Sequence, residues 1–290
     1  MDRYATSADI ASVFTQCQPG DVLHLSGQFG LAVLQARSFS TPLTVDASAA
    51  NIGAVVLKAL TGVIWKGGHF IADPTIGRPG LAIYNCLQLT LDGIAYAGNG
   101  SLNGIDIRDS TDVTLIRSRF DRPKVGVTLW NVTRGLVTEN LIWGWQDDGI
   151  GFGSCVDTTI EHNTLAGPLP GADGVHVDGI QGYVGQVPNQ RVTVRGNIIS
   201  GAATQGVFVN LISGYPAAQG TVIEDNVVHT ADAPNGIRLE GDLTGKVTGN
   251  RVGTRLGSKW QTTIYTTAGV TRTGNVVAPF APWPAIIDAA

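Results

Sequence analysis

The sequence predicts an all-β solenoid, a stack of parallel β-coils, and two interleaved repeats carry that expectation. The first is a glycine-led segment in which apolar and outward-facing residues alternate. It reads Gly104-Ile105-Asp106-Ile107, Gly126-Val127-Thr128-Leu129, Gly149-Ile150-Gly151-Phe152, Gly174-Val175-His176-Val177, Gly206-Val207-Phe208-Val209 and Gly236-Ile237-Arg238-Leu239. Successive intervals are 126 − 104 = 22, 149 − 126 = 23, 174 − 149 = 25, 206 − 174 = 32 and 236 − 206 = 30. Gly80-Leu81-Ala82-Ile83 extends the series downward, and Thr263-Ile264-Tyr265-Thr266 extends it upward without the glycine. Such a period, with strand alternation and no helical spacing, belongs to coils that bury their apolar faces only by stacking. Stacking sets equivalent positions of neighbouring coils about 4.8 Å apart, so sequence register becomes a map of a surface.

The second repeat is a strand that ends at asparagine: Val137 to Asn140, Ile160 to Asn163, Val194 to Asn197, Ile223 to Asn226, Val247 to Asn250 and Arg272 to Asn275. Asparagine tolerates left-handed backbone and bonds its own main chain, which suits a tight corner, and stacked amides can form a ladder. The outward residues before these corners, Thr138, Glu161, Arg195, Glu224, Thr248 and Arg272, read as a solvated face with opposite charges on neighbouring coils.

The ends read as caps. Ile10, Val13, Phe14 and Cys17 fall on one face of a short helix over Ser7 to Cys17, placed to plug the first coil. Pro279 to Ile287 does the same at the other end. The chain is thus one domain, 1–290, with a cap over 1–20, coils over 21–278 and a second cap over 279–290. The three cysteines are expected as buried free thiols. Cys86 and Cys155 each lie six residues after a leading glycine, in a core register shared with Val132, Ile180 and Ile212, and three coils separate them. Net charge is −4 with no basic tract, so nucleic acid is not an expected partner. No apolar run reaches membrane-spanning length, and no leader follows Met1-Asp2-Arg3.

With the opening Gln18-Pro19-Gly20-Asp21-Val22-Leu23-His24-Leu25 added to the coil period and the corner asparagines, the chain resembles the right-handed parallel β-helix proteins of the pectate-lyase-like superfamily. The resemblance covers residues 20 to 280. It implies, with the general crossover rule, a single-stranded right-handed parallel β-helix of about ten coils with a short N-terminal helical cap. It also implies a polysaccharide or oligosaccharide partner and a secreted or periplasmic location, a cytoplasmic one remaining open.

Register then maps one face. The second position after each glycine gives Asp106, Thr128, Gly151, His176, Phe208, Arg238 and Tyr265, and the fourth gives Arg108, Trp130, Gly153, Asp178, Asn210, Glu240 and Thr267. The residue before the glycine gives Asn103, Val125, Asp148, Asp173, Gln205, Asn235 and Thr262. Any one of these alone reads as a solvated strand face. Together they place carboxylates, a histidine and an arginine beside a floor cleared of side chains at Gly151 and Gly153. Long loops over 167–172, 182–191 and 213–220 border the same region. The candidate catalytic residues are Asp148, Asp173, His176, Asp178, Arg238 and Glu240. The candidate substrate-binding residues are Arg108, Lys124, Trp130, Asp147, Gln181, Phe208, Asn210 and Tyr265.

Paired carboxylates are the machinery of glycoside hydrolysis, one donating a proton and the other activating water or attacking. Asp148 and Asp173, one coil apart in this register, are the expected pair, and mutual repulsion raises one pKa. Asp178 orients His176. Read as surface groups, Asp148→Asn and Asp173→Asn are expected to abolish turnover and leave thermal stability unchanged. Gln146-Asp147-Asp148-Gly149-Ile150, followed by His176 and then Asn235-Gly236-Ile237-Arg238-Leu239, resembles the motif order of polygalacturonase-type glycoside hydrolases. That resemblance implies Asp147 and Asp148 as acid and base and Arg238 as the uronate ligand. The chain departs from it at Glu240, where lysine is usual, at Asn103, where aspartate is usual, and in the valines flanking His176. This hydrolase reading needs no cofactor. Three rivals stand beside it. A lyase would use Arg238 or Lys124 near the substrate, with calcium held by Asp148, Asp173, Asp178 and Glu240. A C5 epimerase would use His176 and Tyr265. A non-catalytic glycan-binding solenoid would stack sugars on Trp130, Phe208 and Tyr265.

Overall fold

The structure is a computed structural model, and it describes residues 1–169, 176–185, 187–202, 204–210, 215–242, 244–254 and 257–279. The chain winds as a parallel solenoid of about 8 turns with one short helix. The interior column runs Leu81, Ile105, Val127, Ile150, Ile180, Val207, Ile237 and Ile264, each paired in parallel with the next and all buried. The number of turns is slightly below the expected ten, and the first coils run without breaks at the N-terminal end. There Val22–Lys66 runs as one continuous strand, rounding its corners at Gly27, Ala36, Ala59 and Gly62, all with positive φ.

One rung of the predicted register is wrong. The strand that follows Asp148–Gly153 is Asp178–Tyr183, so Ile180 fills the column position expected of Val175. Val175 itself, with Asp173 and Gly174, lies outside the described residues. The true intervals here are 179 − 149 = 30 and 206 − 179 = 27. Ile180 therefore leaves the cysteine register. That column is Ser110, Val132, Cys155, Asn189 and Ala218, fixed by bridges between the residues that follow each of them. Ile212 lies outside the described residues. Cys17, Cys86 and Cys155 are buried free thiols, and burial pushes Cys155 up to about 11.

The corner asparagines form a continuous ladder. Each side-chain Nδ2 donates to the Oδ1 of the next coil, from Asn140 through Asn163, Asn197, Asn226 and Asn250 to Asn275, at 2.9 to 3.0 Å. The left-handed backbone belongs to the preceding residue instead: Glu139, His162, Gly196, Asp225, Gly249 and Gly274. Labour is divided, one residue turning the chain and the next satisfying the buried amides of the turn.

At the bottom, the helix Ile10–Gln16 buries Ile10 and Phe14, and Cys17 just beyond it is also buried. Arg37 donates to the carbonyls of Phe14, Thr15 and Cys17 at 3.0, 2.5 and 2.6 Å. The helix end leaves the later of these carbonyls without helical partners, while that of Phe14 also accepts the Cys17 backbone N–H at 3.2 Å. Before the helix, Asp2–Ala5 pairs with the start of the long strand, a rung that sequence reading did not expect. Among the described residues no helix is long and apolar enough to cross a membrane.

Candidate functional site

Parallel register places Asp148 and Asp178 side by side on neighbouring rungs, each immediately before its leading glycine. Both are completely buried. The pair expected from sequence was Asp148 with Asp173; Asp178 takes that place because its strand begins later than the alternation suggested. Asp148 accepts from the Asp178 backbone N–H at 3.3 Å and from the Tyr183 hydroxyl. Asp178 accepts from the Gln205 backbone N–H at 2.7 Å, and its other oxygen meets His176 Nδ1 at 2.9 Å. The Gln181 amide, with its nitrogen toward the pair, lies 3.2 Å from both Asp148 oxygens and 3.3 Å from Asp178 Oδ2. One amide thus spans both carboxyl groups.

Electrostatics separates the two acids. Burial pushes Asp148 up to about 7, opposed by the Tyr183 hydrogen bond and reinforced by the charges of Asp178 and Asp147. Burial also raises Asp178, but the His176 hydrogen bond and charge pull the other way. Hydrogen bonding to Asp178 raises His176 above its ordinary value. Burial thus favours the neutral form of both acids, and the His176 contact opposes it only at Asp178. Acids on the outer faces elsewhere each take an arginine from a neighbouring coil: Asp92 with Arg117, Asp112 with Arg134, Asp157 with Arg191 and Glu161 with Arg195.

Above the pair, the outward column runs Gln181, Phe208, Arg238, Tyr265. His176, expected in that column, sits outside the strand and packs on Phe208 with ring centroids 5.4 Å apart. Arg238 lies between two aromatic rings, 5.5 Å from Phe208 and 5.6 Å from Tyr265. Its Nη2 pairs with Glu240 at 2.7 Å. His176 and Arg238 therefore share one side of the coil, joined through Phe208. Asp178, mapped beforehand to the column of Trp130 and Gly153, is replaced there by Tyr183. Asn210 holds the strand top through its backbone N–H to Gly182 at 3.4 Å.

Below the pair, the cleared floor is not bare. The Trp130 ring lies across the space at Gly153, and the Tyr183 ring fills that at Gly151, where an added Cβ would stand 2.9 Å from Tyr183 Cε2. Arg108, two rungs below Asp148, is bound to Asp106 on its own strand at 2.9 and 3.0 Å. Lys124 is exposed, and its carbonyl accepts the backbone N–H of Asp147 at 2.9 Å. Tyr183 is the contact that sequence reading missed. Among the described residues no group of three or more His, Cys, Asp or Glu is arranged to hold a metal ion. The oxygens of Asp148 and Asp178 face hydrogen-bond donors, and Glu240 faces Arg238. Asp173, the fourth residue of the expected calcium set, lies outside the described residues.

Solved structures share this architecture. An alginate lyase from Paenibacillus sp. str. FPU-7 superposes with a TM-score of 0.57 at 16% identity, covering 93% of this chain and 99% of that one. The Dettilon tailspike protein gives 0.68 at 16% identity, covering 94% of this chain and 61% of the tailspike. A Yersinia enterocolitica family 28 exopolygalacturonase gives 0.57 at 10% identity, covering 98% and 77%. At these identities the likeness is one of fold. Comparison with curated proteins gives no match. The family model described as right handed beta helix region matches residues 64–214, more than half of the chain, and the chain belongs to that family.

Proposed function

We propose that this protein is a carbohydrate-active enzyme that hydrolyses glycosidic bonds in an acidic polysaccharide. The observation that carries the reading is the Asp148–Asp178 pair: two buried carboxyl groups on adjacent rungs, Asp148 pushed up to about 7 by burial and Asp178 joined to His176. Asp148 gives its proton to the leaving glycosidic oxygen. Asp178, in its ionised form, activates water or attacks the anomeric carbon. Gln181 spans both acids and Tyr183 caps Asp148, so productive binding moves the Gln181 amide aside. Arg238, pinned between two rings, offers the cation for a uronate carboxylate, as the resemblance to polygalacturonases implies, and the Yersinia neighbour is in keeping with that choice.

A second reading has one observation of its own. His176 is 44% exposed while Asp178 behind it is fully buried, an arrangement that presents an oriented imidazole to the groove. That favours proton abstraction next to a uronate carboxylate, the chemistry of a lyase or C5 epimerase. The alginate lyase likeness, over the full length of that chain, supports the same class. A panel of uronate-containing and neutral polysaccharides separates the readings. Hydrolysis gives new reducing ends without ultraviolet absorbance, whereas a lyase gives unsaturated ends that absorb. An epimerase changes the uronate composition of the polymer without cutting it. No change in any polymer, with retention on an affinity column, would leave a glycan-binding solenoid.

A further inference from the structure

Tyr183 touches Asp148, the proposed acid, and takes no part in the proton transfers described above. Its strand register is the fourth outward position of Asp178–Tyr183, in line with Trp130 and Gly153. Three features build its place. Its hydroxyl donates to Asp148 Oδ2. Its ring occupies the space that Gly151 leaves on the rung below. Its carbonyl accepts the Asn189 side-chain amide at 2.8 Å, and Asn189 in turn accepts the Cys155 backbone N–H at 2.9 Å. The ring is thus fixed from the core corner outward, and Gly151, three residues past Asp148, makes the room.

We propose that Tyr183 is a positioning residue: it holds the Asp148 carboxyl in one orientation and sets how firmly that acid keeps its proton. The inference deepens the hydrolase reading and rests on it for its kinetic consequence, but its structural content stands alone. A hydroxyl donated to a carboxyl oxygen stabilises the ionised form. Among the described residues the titratable groups that act on Asp148 are Asp147 just before its strand, Asp178 and Tyr183 on the next, and His176 through Asp178. The rung below presents Val125 at the matching position. Only Tyr183 among these donates to Asp148 through its side chain as a titratable group. Removing its hydroxyl therefore moves the Asp148 titration upward, by about one pH unit or more for one hydrogen bond to a charged group.

The test is carbon-13 NMR titration of carboxyl-labelled aspartate in the full chain, with the Asp148 signal assigned from its loss in Asp148→Asn. Tyr183→Phe is expected to raise the Asp148 midpoint from about 7. Gly151→Ala, which leaves the phenol chemically intact but displaces the ring, is expected to raise it in the same direction. The double variant is expected to match Tyr183→Phe alone, because both act through one contact. An unmoved midpoint in Tyr183→Phe overturns the proposal, whether or not any polysaccharide is cleaved. Where cleavage is measured, the fall of activity at high pH moves upward with the midpoint. Activity that falls at the wild-type pH while the midpoint moves leaves Tyr183 in place and removes Asp148 as the acid.

Discussion

Asp148 loses its water to burial and gains a like-charged neighbour, and both effects favour the neutral acid. This has a thermodynamic consequence at the scale of one residue. Its pKa rises from 3.8 in the free chain to about 7 in the fold. The folded state therefore binds the proton more tightly. The stabilisation this gives is fully present below about pH 4 and is lost as pH rises through about 7. Asparagine at the same position does not titrate. The melting temperature of the wild type, measured relative to Asp148→Asn, is expected to fall between pH 4 and pH 7.5; parallel curves would contradict the burial argument. The expectation that Asp148→Asn leaves stability untouched belonged to a surface carboxylate, and the structure removes it. Asp173, the partner first assigned, lies outside the described residues.

At the scale of the element, the ladder of asparagines is the strongest local determinant of the coil. Asn197 donates to the carbonyls of Ile160 and Arg195 and to Asn226, and accepts from Asn163. Asn197→Ala strands several buried groups, each costing on the order of 1–3 kcal/mol, so a drop of the urea midpoint well beyond that of an exposed substitution is expected. The Glu161–Arg195 pair at 2.6 Å sits on the solvated face, and Arg195→Ala is expected to cost no more than about 1 kcal/mol. Equal losses in the two variants would reject the ladder as a stabilising element. Both features were legible in sequence because they recur at a fixed place before each corner. The site was legible only in part. Gly174-Val175-His176-Val177 and Gly179-Ile180-Gln181-Gly182 both open with glycine and keep their first residue apolar, and they stand 179 − 174 = 5 residues apart. An odd shift exchanges inward and outward positions. It turned Asp178 from an outward fourth residue into the partner of Asp148, and moved Tyr183 into view. The tripeptide Asp-Gly-Ile stands at 92–94, 148–150 and 178–180, and at 92–94 its glycine turns a corner, so the tripeptide alone does not select the register. The gaps at Gly151 and Gly153 were read correctly as missing side chains. Which rings filled them depended on rotamers, and no pattern in the sequence encodes those.

At the scale of the whole molecule, the solenoid turns linear repetition into a groove along its axis. Arg108 lies two rungs below Asp148 and Arg238 two rungs above Asp178, with the carboxyl pair between them. Rungs spaced about 4.8 Å apart suit a ligand that is itself a linear repeat. Each arginine carries its own acid, Asp106 or Glu240, so an anionic sugar competes for a cation already held in place. The account turns on Asp148 as the acid that a polysaccharide meets in that groove. The most direct measurement is release of reducing ends from a responsive uronate polysaccharide, followed across pH for the wild type and Asp148→Asn, with circular dichroism to confirm that the variant is folded. The account expects wild-type activity to fall as pH rises through about 7 and the variant to lose about 100-fold or more at every pH. A folded Asp148→Asn protein that cuts at the wild-type rate would contradict it.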